Sequence, residues 1–152
     1  MNQSYRFIVP EHPEEIEKYY RLRFEVLRKP WGQDESTTKD EWEDQSFHLL
    51  VVDEYMNAIA TGRLQFNDNV EGQIRSMAVS ETYRGKGLGS EVLKRLEQEA
   101  SNRKFKKLIL DARDNAVNFY LKNGYKVDGD SYVLFDVIPH FRMTKELVKS
   151  EK

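Results

Sequence analysis

The chain has no cysteine among its 152 residues. That absence removes disulfide frameworks, thiolate metal sites and a cysteine nucleophile, and it is compatible with a reducing compartment. An excess of charge of either sign is also missing, since 24 Lys and Arg face 26 Asp and Glu, for a formal net charge of -2. With a pI near 6.0 no global positive field is available for nucleic-acid phosphates, so DNA and RNA are not expected partners. Long apolar runs are absent too: Leu49-Leu50-Val51-Val52, the longest, falls far short of the ~20 residues that span a bilayer. Residues 1–10 lack the basic-then-apolar order of a signal peptide, which leaves a cytoplasmic protein without a membrane partner as the expectation. Three scattered histidines, His12, His48 and His140, make no ligand spacing, so no metal is expected.

What is present suits one domain over residues 1–152, with 39% apolar residues and neither a repeat nor an interdomain linker. Tyr5, Phe7 and Val9 alternate before Pro10, as in a short strand closed by a breaker. Residues 14–27 read as a helix whose apolar face is Ile16, Tyr20, Phe24 and Leu27, ended by Pro30-Trp31-Gly32. Residues 33–45 are polar and without period. Strands follow at 47–53, 58–66 and 73–79, joined by turns rich in Asn, Asp and Gly that favour an antiparallel meander. Val92, Leu93, Leu96 and Ala100 share one face of a helix running from about Leu88 to about Asn102, and Leu108-Ile109-Leu110 is a buried-type strand. Asp114 suits the N-cap of a helix through Lys122, which Asn123-Gly124 stops. Residues 125–127, 131–137 and 141–147 read as the last strands. The order predicts an α+β fold with a mixed, largely antiparallel sheet flanked by helices.

The segment Tyr83-Arg84-Gly85-Lys86-Gly87-Leu88-Gly89 lies between the strand ending Met77-Ala78-Val79 and the helix from Leu88. Gly85, Gly87 and Gly89 permit close backbone approach, the helix start offers free amides, and Arg84 and Lys86 add charge, as a pyrophosphate requires. The spacing fits neither G-x-G-x-x-G, which would need Gly where Ser90 stands, nor G-x-x-x-x-G-K-[ST]. It does fit R-x-x-G-x-G. In this strand, loop and helix context the sequence resembles the GNAT acetyltransferase superfamily, whose usual form is close to V-x-P-x-x-R-G-x-G-x-G; Glu81 stands where that family often has Pro. The resemblance implies acetyl-CoA as cosubstrate, held by Arg84 to Ser90, and a sheet with a splayed central strand pair. The main chain of Met77, Ala78 and Val79 would then hold the thioester carbonyl and the pantetheine amides.

Residues 118–125, Asn118 to Tyr125, look like the same family's helix-Tyr-x-x-x-Gly-aromatic pattern, which makes Tyr120 the candidate general acid toward the thiolate. A buried aromatic with a locally satisfied hydroxyl is the other reading. Family members commonly carry Asn seven residues earlier, where Arg113 stands here; Arg113 would still reach phosphate or carbonyl, and Asn115 would contact the cofactor or cap the helix. Ile138-Pro139-His140-Phe141-Arg142-Met143, with Arg23-Phe24-Glu25-Val26-Leu27, resembles the ElaA-like bacterial subgroup, in which a Pro-His turn precedes the last strand.

The resemblance implies transfer to a primary amine of a small molecule or peptide. An amine needs a base, and Glu25 and His140 are the candidates, with Asp111 a third; a solvated helix face for Glu25 and a structural hydrogen bond for His140 stay open. The acidic run Asp34, Glu35, Asp40, Glu41, Glu43 and Asp44 is either a lure for a cationic amine or a solvated loop. Trp31 and Trp42 flank it. A non-catalytic CoA-binding domain is the alternative from another class, and a homodimer is the default assembly.

Overall fold

Pro13 opens the first helix at the position where a missing amide hydrogen costs nothing, and the Glu15 carboxylate accepts from the amides of Glu11 and His12 at 3.0 and 3.1 Å. The computed structural model describes residues 4–134 and 138–147, apart from the side chains of residues 130–133. In chain order the elements are β1 (Arg6–Ile8), α1 (Pro13–Leu27), β2 (Phe47–Val52), β3 (Ala58–Phe66), β4 (Glu71–Val79), α2 (Leu88–Asn102), β5 (Lys107–Arg113), α3 (Val117–Lys122), β6 (Lys126–Leu134) and β7 (Ile138–Glu146). Short 3-10 turns at Lys29–Trp31, Glu35–Thr37 and Glu43–Gln45 join α1 to β2. Among the described residues no helix is long and apolar enough to cross a membrane.

The seven strands form one sheet in the order β1-β2-β3-β4-β5-β7-β6. Every neighbouring pair is antiparallel except β4 and β5, which run parallel and pair only at Glu71↔Lys107, Gly72↔Leu108 and Gln73↔Ile109. On one face α2 buries Leu88, Val92, Leu93, Leu96 and Ala100 against Leu49, Leu64 and Leu110. The approach is close because Gly62 has no side chain: a Cβ there would stand 2.8 Å from both Leu96 and Val92. On the other face α1 packs over β3 and β4, with Tyr19 against Leu50 and Val52.

The buried side of α1 differs from the apolar stripe expected. Ile16 is 38% exposed, whereas Arg23 is buried with Tyr19 and Leu22. The reason is a charge cluster that no local period reveals. Arg23 donates through Nη1 to Glu43 Oε1 at 2.8 Å and through Nη2 to Glu43 Oε2 at 2.9 Å and the Thr38 carbonyl at 2.8 Å. Arg63, fully buried on β3, donates to Glu43 Oε2 at 2.6 Å and to both Asp40 oxygens at 3.0 Å. The acidic segment is therefore only partly a solvated loop: Asp34, Glu35, Glu41 and Asp44 are exposed, while Asp40 and Glu43 neutralise two guanidiniums beneath it.

A chain of side chains continues across the same face. Arg63 Nη2 donates to Gln65 Oε1, Gln65 to Asn67 Oδ1 at 2.8 Å, Asn67 to Gln73 Oε1 at 3.1 Å, and Gln73 to Asp111 Oδ2 at 3.3 Å. Arg142 Nε closes the series on Asp111 Oδ1 at 2.7 Å.

Other boundaries shift for non-local reasons. β5 extends to Arg113 because β7 pairs along it from Lys107↔Glu146 to Arg113↔His140. Pro139 and His140, expected in a turn, lie inside β7. Residues 126–134 form one strand with register shifts around Gly129 rather than the ends of two, and residues 135–137 of the expected strand lie outside the described residues. Asp114 sits in a 3-10 turn, Asp114–Ala116, and α3 starts at Val117 without a side-chain cap.

Burial alone would push the Glu43 carboxyl up, but the hydrogen bonds and charges of Arg23 and Arg63 hold it at about 2, below its ordinary 4.5. A depressed acid contributes stability above its unfolded value that is lost as pH falls toward the folded one. Urea midpoints measured between pH 7 and pH 2 should therefore fall below about pH 4.5, and Glu43→Gln should flatten that decline. At pH 7 the same substitution should cost about 3 kcal/mol, because it leaves buried Arg23 without a counter-ion and Arg63 with Asp40 alone.

Candidate functional site

The parting of β4 from β5 opens a cleft. It begins in a bulge: Thr61 pairs with Ala78 and Arg63 with Arg75, so β4 carries one residue more than β3 across this stretch. Ser76 takes the left-handed conformation there, with φ 56°, a region that costs a non-glycine residue about 1 kcal/mol or more. Thr61 Oγ1 donates to the Ser76 carbonyl at 2.9 Å and so pins the bulge from the neighbouring strand. Beyond Gln73 and Ile109 the two parallel strands no longer pair. A cavity of about 700 Å³ opens between them, walled by residues 74–79 of β4, 110–113 of β5, the glycine segment, α3 and the end of α1.

At one end lies the glycine segment. Gly85 and Gly87 have φ of 77° and 84°, and a Cβ at either would meet nothing within 4 Å. Their requirement is thus conformational, and the space in front of them is open. Gly87 caps α2, whose first amides have no acceptor within the helix and add to its positive pole. Gly89 serves a different purpose: a Cβ there would stand 3.3 Å from Phe119, so its absence lets α3 approach α2. Leu88 is buried and anchors the loop, and Ser90 lines the cleft. Arg84 Nε donates to the Val79 carbonyl at 3.1 Å, closing the loop onto β4. Lys86 is exposed, with Nζ 5.6 Å from the Tyr83 ring, and is not among the cleft-lining residues.

Met77, Ala78 and Val79 line the cleft as expected, and so do Arg113, Asn115, Tyr120 and His140. The Tyr120 ring packs edge-on against Phe119 and Tyr125, with centroids 4.9 and 5.8 Å away. Its hydroxyl finds no hydrogen-bond partner among the described residues. Burial pushes this phenol well above its ordinary pKa, against the opposing charge of Arg113, so it carries its proton throughout the neutral range. His140 Nδ1 lies 3.0 Å from the Ile138 carbonyl. A carbonyl only accepts, so Nδ1 holds the hydrogen and, in the neutral ring, Nε2 carries the lone pair. Burial lowers the His140 pKa, outweighing that hydrogen bond, and favours the neutral ring.

Two other candidate bases are placed differently. Glu25 is exposed and does not line the cleft, although Val26 and Leu27 beside it do. Asp111 lines the cleft, but Arg142 and Gln73 hold its carboxylate. Arg113 donates through Nη2 to the Leu27 carbonyl at 3.2 Å and lies 5.7 Å from the Trp31 ring. Trp31 and Trp42 are both 40% exposed and outside the cleft lining. The sequence reading missed Arg23, Arg28, Thr38 and Arg75, which also line the cleft. Of these, Arg75 carried a readable signal: a charged residue within a strand beside the expected main-chain binding edge.

Comparison with known proteins agrees with this geometry. Residues 14–125 match the model of the acetyltransferase (GNAT) family. The uncharacterized N-acetyltransferase YjcF of Bacillus subtilis (strain 168) is 30% identical over 139 residues, which cover 91% of this chain and 98% of YjcF. Escherichia coli ElaA has a similar structure, with a TM-score of 0.79 at 20% identity over 95% of this chain and 100% of ElaA. A GNAT family acetyltransferase from Elizabethkingia anophelis, solved with acetyl-CoA bound, has a TM-score of 0.74 at 18% identity over 95% of this chain and 98% of that one. At these identities the two structures show a shared fold.

The pinned bulge is open to test. Thr61→Val keeps the shape of the side chain and removes the donor to the Ser76 carbonyl, and urea unfolding should show a loss of about 1–3 kcal/mol. An unchanged midpoint would mean that the bulge holds without its pin.

Proposed function

The chain belongs to the acetyltransferase (GNAT) family, and we propose that it moves the acetyl group of acetyl-CoA to a primary amine by direct attack, without an acyl-enzyme intermediate. The observation that carries this reading is the cleft between β4 and β5, continuous from the glycine segment to Tyr120 and His140. Its residues suit the cosubstrate. The positions in front of Gly85 and Gly87 are open, the amides at the start of α2 have no internal acceptor, and beyond Gln73 the inner edge of β4 has no strand partner.

Bound acetyl-CoA supplies an activated acetyl group on a thiol leaving group. The α2 amides, with Arg84 and the loop main chain, hold its pyrophosphate. The main chain of Met77, Ala78 and Val79 offers donors and acceptors to the pantetheine amides, and a donor to the carbonyl oxygen as charge develops there. His140 Nε2 takes the proton that the amine must lose, directly or through water. As the new N–C bond forms and the C–S bond breaks, Tyr120 Oη donates its hydrogen to the departing sulfur. The absence of cysteine from the sequence removes the commonest nucleophile for a covalent route.

Calorimetric titration with acetyl-CoA tests the cofactor half of this reading. The intact protein should bind, and Gly87→Glu, which forces a charged side chain into a left-handed position at the anion end, should lose at least tenfold in affinity. Failure of the intact protein to bind would end the reading. Free-thiol release across an amine panel tests the transfer itself. Tyr120→Phe should lower kcat by about a hundredfold, in the range expected for a positioned acid, and an unchanged kcat would remove Tyr120 from the reaction.

A further inference from the structure

Charge along the cleft is one-sided. Apart from Arg84, four arginines line the cleft, Arg23, Arg28, Arg75 and Arg113, against two carboxylates, Asp40 and Asp111. Both carboxylates are already engaged: Arg63 takes both oxygens of Asp40 at 3.0 Å, and Arg142 Nε takes Asp111 at 2.7 Å. A cationic acceptor would have to compete with a buried guanidinium for Asp40.

Arg75 stands apart from the other arginines. Arg23 is tied to Glu43 through both terminal nitrogens. The Arg28 and Arg113 guanidiniums are steered by carbonyls, those of Thr37 and Leu27. Arg75 is half-buried and makes no hydrogen bond or ion pair with any described residue. It also stands directly opposite Arg63 across β3 and β4. Residues paired in this way share a face of the sheet, so Arg75 lies on the α1 side, whereas the glycine segment leads into the helix on the other side. Like charges opposite one another destabilise a sheet, and of the two only Arg63 has counter-ions among the described residues. The cleft lining also includes Thr38, 8% exposed, whose hydroxyl has no hydrogen-bond partner among the described residues.

We propose that Arg75 is a specificity residue for the acceptor, and that the acceptor is an amine that also bears a carboxylate, such as an amino acid or a peptide with a free carboxyl end. The inference rests on the acetyl-transfer reading above. A carboxylate arriving on the α1 side gives Arg75 the planar, two-pronged partner that Arg23 and Arg63 already have. It also balances the like-charge pair across β3 and β4.

Matched amines that differ only in carboxylate against carboxamide, offered as amino acids and dipeptides beside their amides, test the proposal through free-thiol release. The intact protein should show kcat/KM at least about tenfold higher for the acids, with the difference shrinking as salt is raised. Arg75→Ala and Arg75→Gln should collapse that ratio toward unity, with acetyl-CoA titration verifying that each variant retains a folded cleft. Amides used as well as acids, or an acid preference that survives both variants, would overturn the proposal. If acetyl-CoA binds but no panel amine reacts, titration of the same pairs into CoA-saturated protein decides: tighter binding of the acids supports it, and equal or absent binding overturns it. A protein that binds no acetyl-CoA would refute the acetyl-transfer reading itself, and the proposal with it.

Discussion

Two parallel strands that stop pairing after three positions set the terms for the rest of this molecule. A strand in the middle of a sheet has hydrogen-bonding groups on both edges, and an edge left without a neighbour is costly unless water or a ligand reaches it. Here that edge of β4 faces the cleft, where the proposed function gives it a ligand. The bulge at Ser76 swings it outward, the Thr61 hydroxyl secures the bend, and the space that results is bordered by the positive pole of α2. The glycine segment, the unpaired main-chain edge and the residues proposed to react are thus parts of one opening.

The side proposed for the acceptor is built by different physics. Glu43 and Asp40 come from a segment with hardly any regular structure, and Arg23 and Arg63 fasten it to a helix and to a central strand. Buried ion pairs of this kind add little net stability against an apolar alternative, but they fix relative position and penalise displacement heavily. The segment is held over the cleft by charge rather than by apolar packing. This is consistent with its composition: of the residues from 33 to 45, Trp42 alone is a large apolar one, and it is 40% exposed.

Much of the proposed cofactor half was legible from sequence because its signals are local. The α2 helix runs from Leu88 to Asn102 as its spacing predicts, β3 occupies 58–66, and the glycines at 85 and 87 adopt the positive φ that makes them glycines. The acceptor half was not, because its determinants are far apart in the chain. Arg23 stands beside the apolar stripe of α1, but nothing near it in the chain supplies the counter-ion for its burial, which comes from Glu43, 20 residues later. β5 reads as three residues until β7 pairs along its full length, and Pro139 and His140 read as a turn until that same pairing makes them part of a strand. The candidate base Glu25 suffered in the same way: helical periodicity gives the angle of a side chain about its own axis but not which neighbour lies at that angle.

The series of amide and acid side chains from Arg63 through Gln65, Asn67 and Gln73 to Asp111 and Arg142 crosses from β3 to β7 beside the point where β4 and β5 separate. An opening in a sheet is like a crack in a plate: it lengthens unless something at its tip resists. These side chains are that resistance, a row of stitches across the end of the seam. The gap therefore has a fixed depth before anything enters it, and a ligand that fits meets a slot already cut to length.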